Sequence, residues 1–408
     1  MRILFTTFAW PSHYAAQVPL AWACRNAGHD VRMASQPELA DVILRSGLPG
    51  VLVGRDVDVV AHHRSVMDKR PATGLPPPPQ QWDAARRQRV RRALAIFVEL
   101  AEAMADDLIA FARGWRPDLI VFDPLSYAGP LAARLVGVPA VRNLFGPDIT
   151  LDLEQEALEP LLDRYGLADL DIFGALTVDP CPPGLQLPSR GPRQRMRYVP
   201  HSGLSAVPPW LAEPPGRRRV CLTWGTSTTR LSTHYTSWLP EILSGLSKVD
   251  AEVVLAVTAA DRSLLGEVPD GVRIAEQVPL EALLPGCAAV VHQGGAGTTL
   301  TSLLYGLPQL VIAQLADQLV NAYCVSRSGA GRYLIPDSGV AEQAFAGVTA
   351  LLDDPAYRRA ARRLRQEMCG APPPAGIVPV LERIARNGGT SAPRPEPEPA
   401  STTVAQPG

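Results

Sequence analysis

The chain has 408 residues, 39 basic and 40 acidic, for a net charge of −1. At roughly 150 residues per domain, that length suggests two or three domains, with ample chain for real cores. A hydrophobic fraction of 46% excludes wholesale disorder, and the balanced charge argues against a nucleic-acid-binding protein, which usually carries a basic excess.

In chain order, Arg2–Phe8 reads as a strand and Ala15–Ala27 as a helix ending at Gly28. A second strand is expected at Val31–Ser35, a helix at Gln36–Ser46, and strand-like sequence at Leu48–Gly54. Residues 55–85 break the pattern. Four consecutive prolines, Pro76–Pro79, suit neither a helix interior nor a central strand. Arg86–Arg113 is a long helix by its apolar spacing of Val90, Leu94, Phe97, Leu100, Met104 and Leu108. Leu119–Phe122 is a short apolar strand, Tyr127–Val136 a helix and Ala140–Phe145 a strand. Such alternation implies a parallel sheet covered on both faces.

Residues 180–217 are rich in Pro, Gly and Arg and read as a loop plus linker. Alternation then restarts, with strands at Arg219–Trp224, Glu252–Val257, Val272–Ala275, Ala288–His292 and Gln309–Ile312. The fold class is therefore α/β, with two doubly wound Rossmann-like domains. Ligands are expected at carboxyl strand ends, in the cleft between them. The expected division is an N-terminal domain over 1–207, a linker over 208–217 and a second domain over 218–370. A C-terminal helix over 371–387 packs back toward the first domain, and a disordered tail occupies 388–408.

No apolar run approaches the ~18 residues of a membrane span, and the polar Thr6-Thr7 pair cuts short any signal-peptide core. Six scattered cysteines with no CxxC pair point to a reducing cytoplasm rather than to zinc or disulfides.

The strongest chemical signal is His292-Gln293-Gly294-Gly295-Ala296-Gly297-Thr298, which follows an apolar strand and opens a helix. Such a turn exposes backbone amides at a helix amino end, a natural anion site, and its glycines allow close approach. His292 is expected to donate a further bond to a phosphate oxygen; the alternative is a tight turn in which His292 satisfies a backbone group. No Lys follows the glycines, so this is not a Walker A loop. His13 and Asp123 each follow an apolar strand. If the strands are adjacent, the carboxylate can orient the imidazole as a general base; otherwise they are helix-flanking and turn residues. Thr226 and Ser227 follow Trp224-Gly225 at another strand end. Asp317 can accept bonds from hydroxyl groups or cap the following helix. Asp56/Asp58 and Asp169/Asp171 match a metal-binding DxD pattern too short to be informative, and the basic run Arg86–Arg92 reads as a solvated or partner-facing helix end.

Residues 276–321, with EQVP, HQGGAGTT and ADQ, resemble the nucleotide-sugar donor signature of GT-B family 1 glycosyltransferases of actinomycete antibiotic pathways. Residues 1–37, 116–142 and CLTWGTS at 221–227 resemble other segments of the same family, so the likeness spans about 1–385. One departure is Gln293, where many relatives carry a second His. The resemblance implies a GT-B fold and an inverting transferase moving a (deoxy)sugar, most plausibly TDP-linked, to a hydroxyl of a hydrophobic aglycone. It implies His13 and Asp123 as the catalytic dyad. Thr226, Ser227, His292, Gly294, Gly295, Gly297 and Thr298 would hold the diphosphate. Trp224, Gln277 and Val278 would hold the nucleoside, and Asp317 with Gln318 would face the sugar. No metal or cofactor is implied. An auxiliary activator protein and a homodimer are further expectations. The competing readings are a non-catalytic helper on the same fold and a nucleotide-sugar epimerase.

Overall fold

A computed structural model describes residues 1–66, 83–150, 154–203, 205–225, 230–231 and 237–388. The Pro76–Pro79 run, Thr226, Ser227 and the segment after Gly388 lie outside the described residues.

Two wholly parallel sheets organise the chain. The first contains β1 (Arg2–Thr6), β2 (Asp30–Ser35), β3 (Gly50–Leu52), β4 (Leu119–Phe122), β5 (Ala140–Asn143), β6 (Leu176–Asp179) and β7 (Arg193–Arg195), in the order β3-β2-β1-β4-β5-β6-β7. The second contains β8 (Arg219–Thr223), β9 (Glu252–Val257), β10 (Val272–Glu276), β11 (Ala289–His292), β12 (Gln309–Ile312) and β13 (Gly331–Leu334), in the order β10-β9-β8-β11-β12-β13. The strand order reverses between β1 and β4 in one sheet and between β8 and β11 in the other. These switch points open crevices at the carboxyl strand ends, where α/β folds bind ligands.

Helices cover both faces of each sheet. The helix Ala84–Trp115 starts where the Asp83 side chain accepts from the Arg86 amide, and buries Leu94, Leu100, Met104 and Leu108. It packs along the helix Ala128–Val136. Residues 180–217 hold one strand that the Pro/Gly/Arg composition conceals: β7, which pairs with β6 at the sheet edge. The segment joining the sheets is pinned at Trp210, whose ring carries the Arg219 and Arg273 guanidiniums at 5.2 and 4.7 Å. Glu252 accepts from both arginines, at 2.8 and 3.0 Å.

The final helix, Pro374–Arg386, leaves the second unit and lies against the helix Pro11–Asn26. Its Ile377, Val378 and Leu381 complete an apolar cluster with Leu20, Ala21 and Cys24. Further contacts join the halves. The Glu367 carboxylate accepts from the Gly184 amide at 2.8 Å, Arg327 donates to the Gln186 carbonyl at 2.8 Å, and Arg230 pairs with Glu38 while lying over Trp10. Among the described residues no helix is long and apolar enough to cross a membrane.

Candidate active site

His13 sits in the first turn of the helix Pro11–Asn26, directly after β1. Asp123 follows β4, the strand paired beside β1, and its backbone amide extends that pairing to the Thr6 carbonyl. Adjacency brings His13 Nδ1 within 2.8 Å of Asp123 Oδ2. Asp123 Oδ1 accepts from the Leu125 amide at 2.9 Å, so both carboxylate oxygens are fixed and the group is buried. An ionised carboxylate only accepts, so Nδ1 is the donor, and in the neutral ring the lone pair falls on Nε2. The rings of Phe8 and Phe145 flank the imidazole at 4.7 and 4.1 Å between centroids. The side chain keeps 13% of its surface in contact with solvent.

Across the cleft, β11 runs into the helix Ala296–Leu304. Among the described residues no side chain caps this helix and no acidic residue occupies its first turn, so its leading amides remain available to an anion. Gly294 makes the turn possible. Its φ is +101°, and a Cβ there would stand 2.9 Å from Val311 and 3.0 Å from the Gln318 carbonyl. Gly295 is the residue before the helix, and Gly297 and Thr298 lie in its first turn. Tyr198, beyond β7, reaches over to donate to the Gly297 carbonyl at 3.2 Å.

His292 does not fill the role expected of it. It is fully buried; Nδ1 accepts from the Gly294 amide at 3.0 Å, and Nε2 donates to Gln309 Oε1 at 2.8 Å. Gln309 in turn donates to the Thr299 carbonyl. With both nitrogens spent inside the chain, His292 shapes the turn and offers no bond to a phosphate. The neighbouring Gln293 faces the cradle instead. Its amide nitrogen lies 2.4 and 2.9 Å from where a Cβ would stand on Gly225 and Gly295, and its buried Oε1 has no partner among the described residues.

Burial drives the His292 pKa down to about 4, against the raising effect of the Gln309 bond. In the unfolded chain the same imidazole protonates near 6.5, so between these values the unfolded state binds more protons. Stability from this group is complete above about 6.5 and falls as the pH drops toward about 4, by about 3 kcal/mol in all. Urea midpoints are therefore expected to fall over that window, and to fall less steeply in His292→Gln. Equal pH dependence of the two proteins would refute the buried neutral imidazole.

The remaining expected contacts divide. Gln277 is exposed beyond β10 and holds a left-handed backbone, φ +53°, unusual for a residue with a side chain. Val278 beside it is half-buried. Trp224 is 2% exposed and belongs to the apolar core under β8, so its ring has no face for a nucleoside base. Asp317 is exposed in the first turn of the helix Ala316–Arg327 and close enough to His13 for their charges to interact. It touches solvent yet has protein around it, and this crowding raises its carboxyl above the ordinary range. Gln318 is buried, and its Oε1 accepts from the amides of Gln314 and Leu315. It therefore caps the helix, and that oxygen is not available to a sugar hydroxyl. Three carboxylates of the DxD pairs bind backbone amides: Asp58 and Asp171 accept from those of Ala61, Phe173 and Gly174 in local turns, and Asp56 from that of Glu38 across the chain.

Two facing parallel-sheet units, with a His–Asp pair at one switch point and an anion-ready helix end at the other, make a GT-B glycosyltransferase, and solved structures similar to the chain are glycosyltransferases. The glycosyltransferase VinC in complex with dTDP superposes with a TM-score of 0.77 at 33% identity, covering 95% of this chain and 100% of that one. The spinosyn rhamnosyltransferase SpnG complexed with thymidine diphosphate gives 0.80 at 30% identity, covering 94% and 100%. The chain belongs to the erythromycin biosynthesis protein CIII-like family, whose N-terminal and C-terminal domain profiles match residues 22–225 and 240–384. It is 40% identical over 417 residues to the 10-deoxymethynolide desosaminyltransferase of Streptomyces venezuelae, covering 94% of this chain and 97% of the relative. It is 39% identical over 427 residues to the tylactone mycaminosyltransferase of Streptomyces fradiae, covering 95% and 94%. The chain is thus a transferase enzyme.

Proposed function

We propose that this enzyme transfers a deoxysugar from a TDP-sugar to a hydroxyl of a macrolide or other polyketide aglycone, with inversion at the anomeric carbon. The donor lies against the β8–β13 unit and the acceptor against the β1–β7 unit. The observation that carries this reading is the His13–Asp123 pair, with its free Nε2 in a cleft whose opposite wall is the uncapped helix end at Ala296.

In this mechanism His13 Nε2 takes the proton of the acceptor hydroxyl as its oxygen attacks the anomeric carbon. The bond to the diphosphate oxygen breaks on the opposite face, which inverts the centre. Charge gathers on the departing TDP, where the amides of Ala296, Gly297 and Thr298 and the side-chain amide of Gln293 receive it. Asp317, near His13, suits hydroxyl groups of the sugar. No metal or cofactor enters the step.

The thymidine of the donor is supported by likeness to the two structures that hold dTDP or thymidine diphosphate. Calorimetric titration with TDP and with UDP is expected to give saturable binding, tighter for TDP. Binding of neither nucleotide to folded protein would refute the donor site, and a preference for UDP would refute the thymidine assignment.

A further inference from the structure

One peptide touches both halves of the site. Phe145 lays its ring 4.1 Å from that of His13, and the next residue, Gly146, meets Ala296 across the cleft. A Cβ at position 146 would stand 2.7 Å from that of Ala296, closer than real Cβ atoms approach anything. Gly146 does not use the left-handed backbone region, so its own conformation would accept a side chain. What forbids one is the neighbour on the other unit. That neighbour is the first residue of the helix whose amides face the cleft.

The loop that carries this peptide is held firmly. Asp148 takes an ion pair from buried Arg142 at 2.7 Å, and its backbone amide donates to Gln186 Oε1 at 2.7 Å. The Gln186 carbonyl is in turn held by Arg327 of the opposite unit. Pressure at Gly146 therefore passes to the spacing of the two units before it is relieved by the loop.

We infer that the Phe145–Gly146 step is the spacer that sets the distance between His13 and the amino end of the helix Ala296–Leu304, with Gly146 as a positioning residue for transfer. It touches His13 through Phe145 and the phosphate-facing helix through Ala296, and has no part in the bond changes. This role rests on the transfer reading proposed above.

The test is a set of three variants: Gly146→Ala, Ala296→Gly and the double variant. Gly146→Ala is expected to fold, with a urea midpoint lowered modestly by the forced parting of the two units, and still to bind TDP. Its kcat should fall about 10- to 100-fold, the size of loss that a displacement near 1 Å can cause, with KM for the donor held. Ala296→Gly removes the opposing methyl, so Gly146→Ala introduced into that background should cost far less rate than it costs in the wild type. A Gly146→Ala enzyme at wild-type rate, or a slow one that Ala296→Gly fails to rescue, overturns the spacer. Amide hydrogen exchange over 144–150 and 294–300, measured without donor, should quicken in Gly146→Ala and recover in the double variant. If wild-type protein transfers no sugar, the transfer reading fails, while unchanged exchange in Gly146→Ala would sink the spacer on its own.

Discussion

His13→Ala is expected to lower sugar transfer by about 10²- to 10⁴-fold, the usual worth of a positioned general base, while TDP affinity is unchanged. The geometry separates the two effects. His13 stands on the β1 side of the cleft, and the uncapped helix end stands on the β11 side. Asp123 is locked by the Leu125 amide and cannot turn away, so it presents one fixed oxygen to Nδ1 and leaves Nε2 as the only basic position on the ring. Phe8 and Phe145 close over the ring and limit the water that could replace it. Initial rates with donor and acceptor, together with calorimetry of TDP on the same protein, decide the matter. A variant that transfers at wild-type rate removes His13 from the chemistry, and one that loses TDP binding moves it to the donor site.

The strands that were legible to the residue are those buried on both faces. Leu119–Phe122 is a continuous apolar run, and Glu252–Val257 and Gln309–Ile312 are apolar after their first residue, which is what a covered parallel sheet demands. The edge strand β7 and the helix Glu154–Arg164 gave no such signal. β7 reads Arg193-Gln194-Arg195 and is half-buried throughout, and the helix Glu154–Arg164 carries Pro160 inside it. The site was legible as a set of strand ends, because polar residues after apolar runs stand out. Their mutual arrangement was not, since nothing local in 1–123 says that β1 and β4 are neighbours; that came from resemblance.

The turn after β11 turned on one residue of parity. His292 is still paired within the sheet, opposite Thr223 and Val311, so its side chain goes into the packed layer. Successive strand residues point to opposite sides, and Gln293, the next one, turns toward Gly225 and Gly295. The sequence ended the strand at His292, as observed, without saying to which side of the sheet that residue points. Trp224 misled for a related reason, since an aromatic residue beside a binding turn serves a core and a ligand equally well on paper.

Asp148→Ala is expected to cost about 3–5 kcal/mol of stability, the penalty for leaving a buried charge without its partner. Arg142 and Asp148 are essentially inaccessible to solvent. Arg142 also donates to Thr177 and Thr150 at 3.1 and 2.7 Å, and its guanidinium lies 4.6 Å from the Phe173 ring centre. Burial lowers the Arg142 pKa even with Asp148 beside it. Burial alone would raise the Asp148 carboxyl, yet the guanidinium holds it below the ordinary range. The Asp148 contribution is therefore complete above the unfolded carboxylate range and is lost as the pH falls through its lowered folded value. Arg193, 3.1 Å from the same carboxylate, shares the loss. Urea unfolding at neutral pH should report the full penalty, and replacing both buried partners, Arg142→Met with Asp148→Leu, should recover part of it because no isolated charge then remains. An Asp148→Ala protein as stable as the wild type would mean that the pair is solvated in solution. Transfer should fall as well, because the same carboxylate fixes the loop that carries Phe145 and Gly146. Gly146→Ala is expected to slow transfer in a way that Ala296→Gly relieves, with the smaller loss of stability. Asp148→Ala should slow it together with a lower urea midpoint, so the two variants separate the spacer from the clamp that holds it.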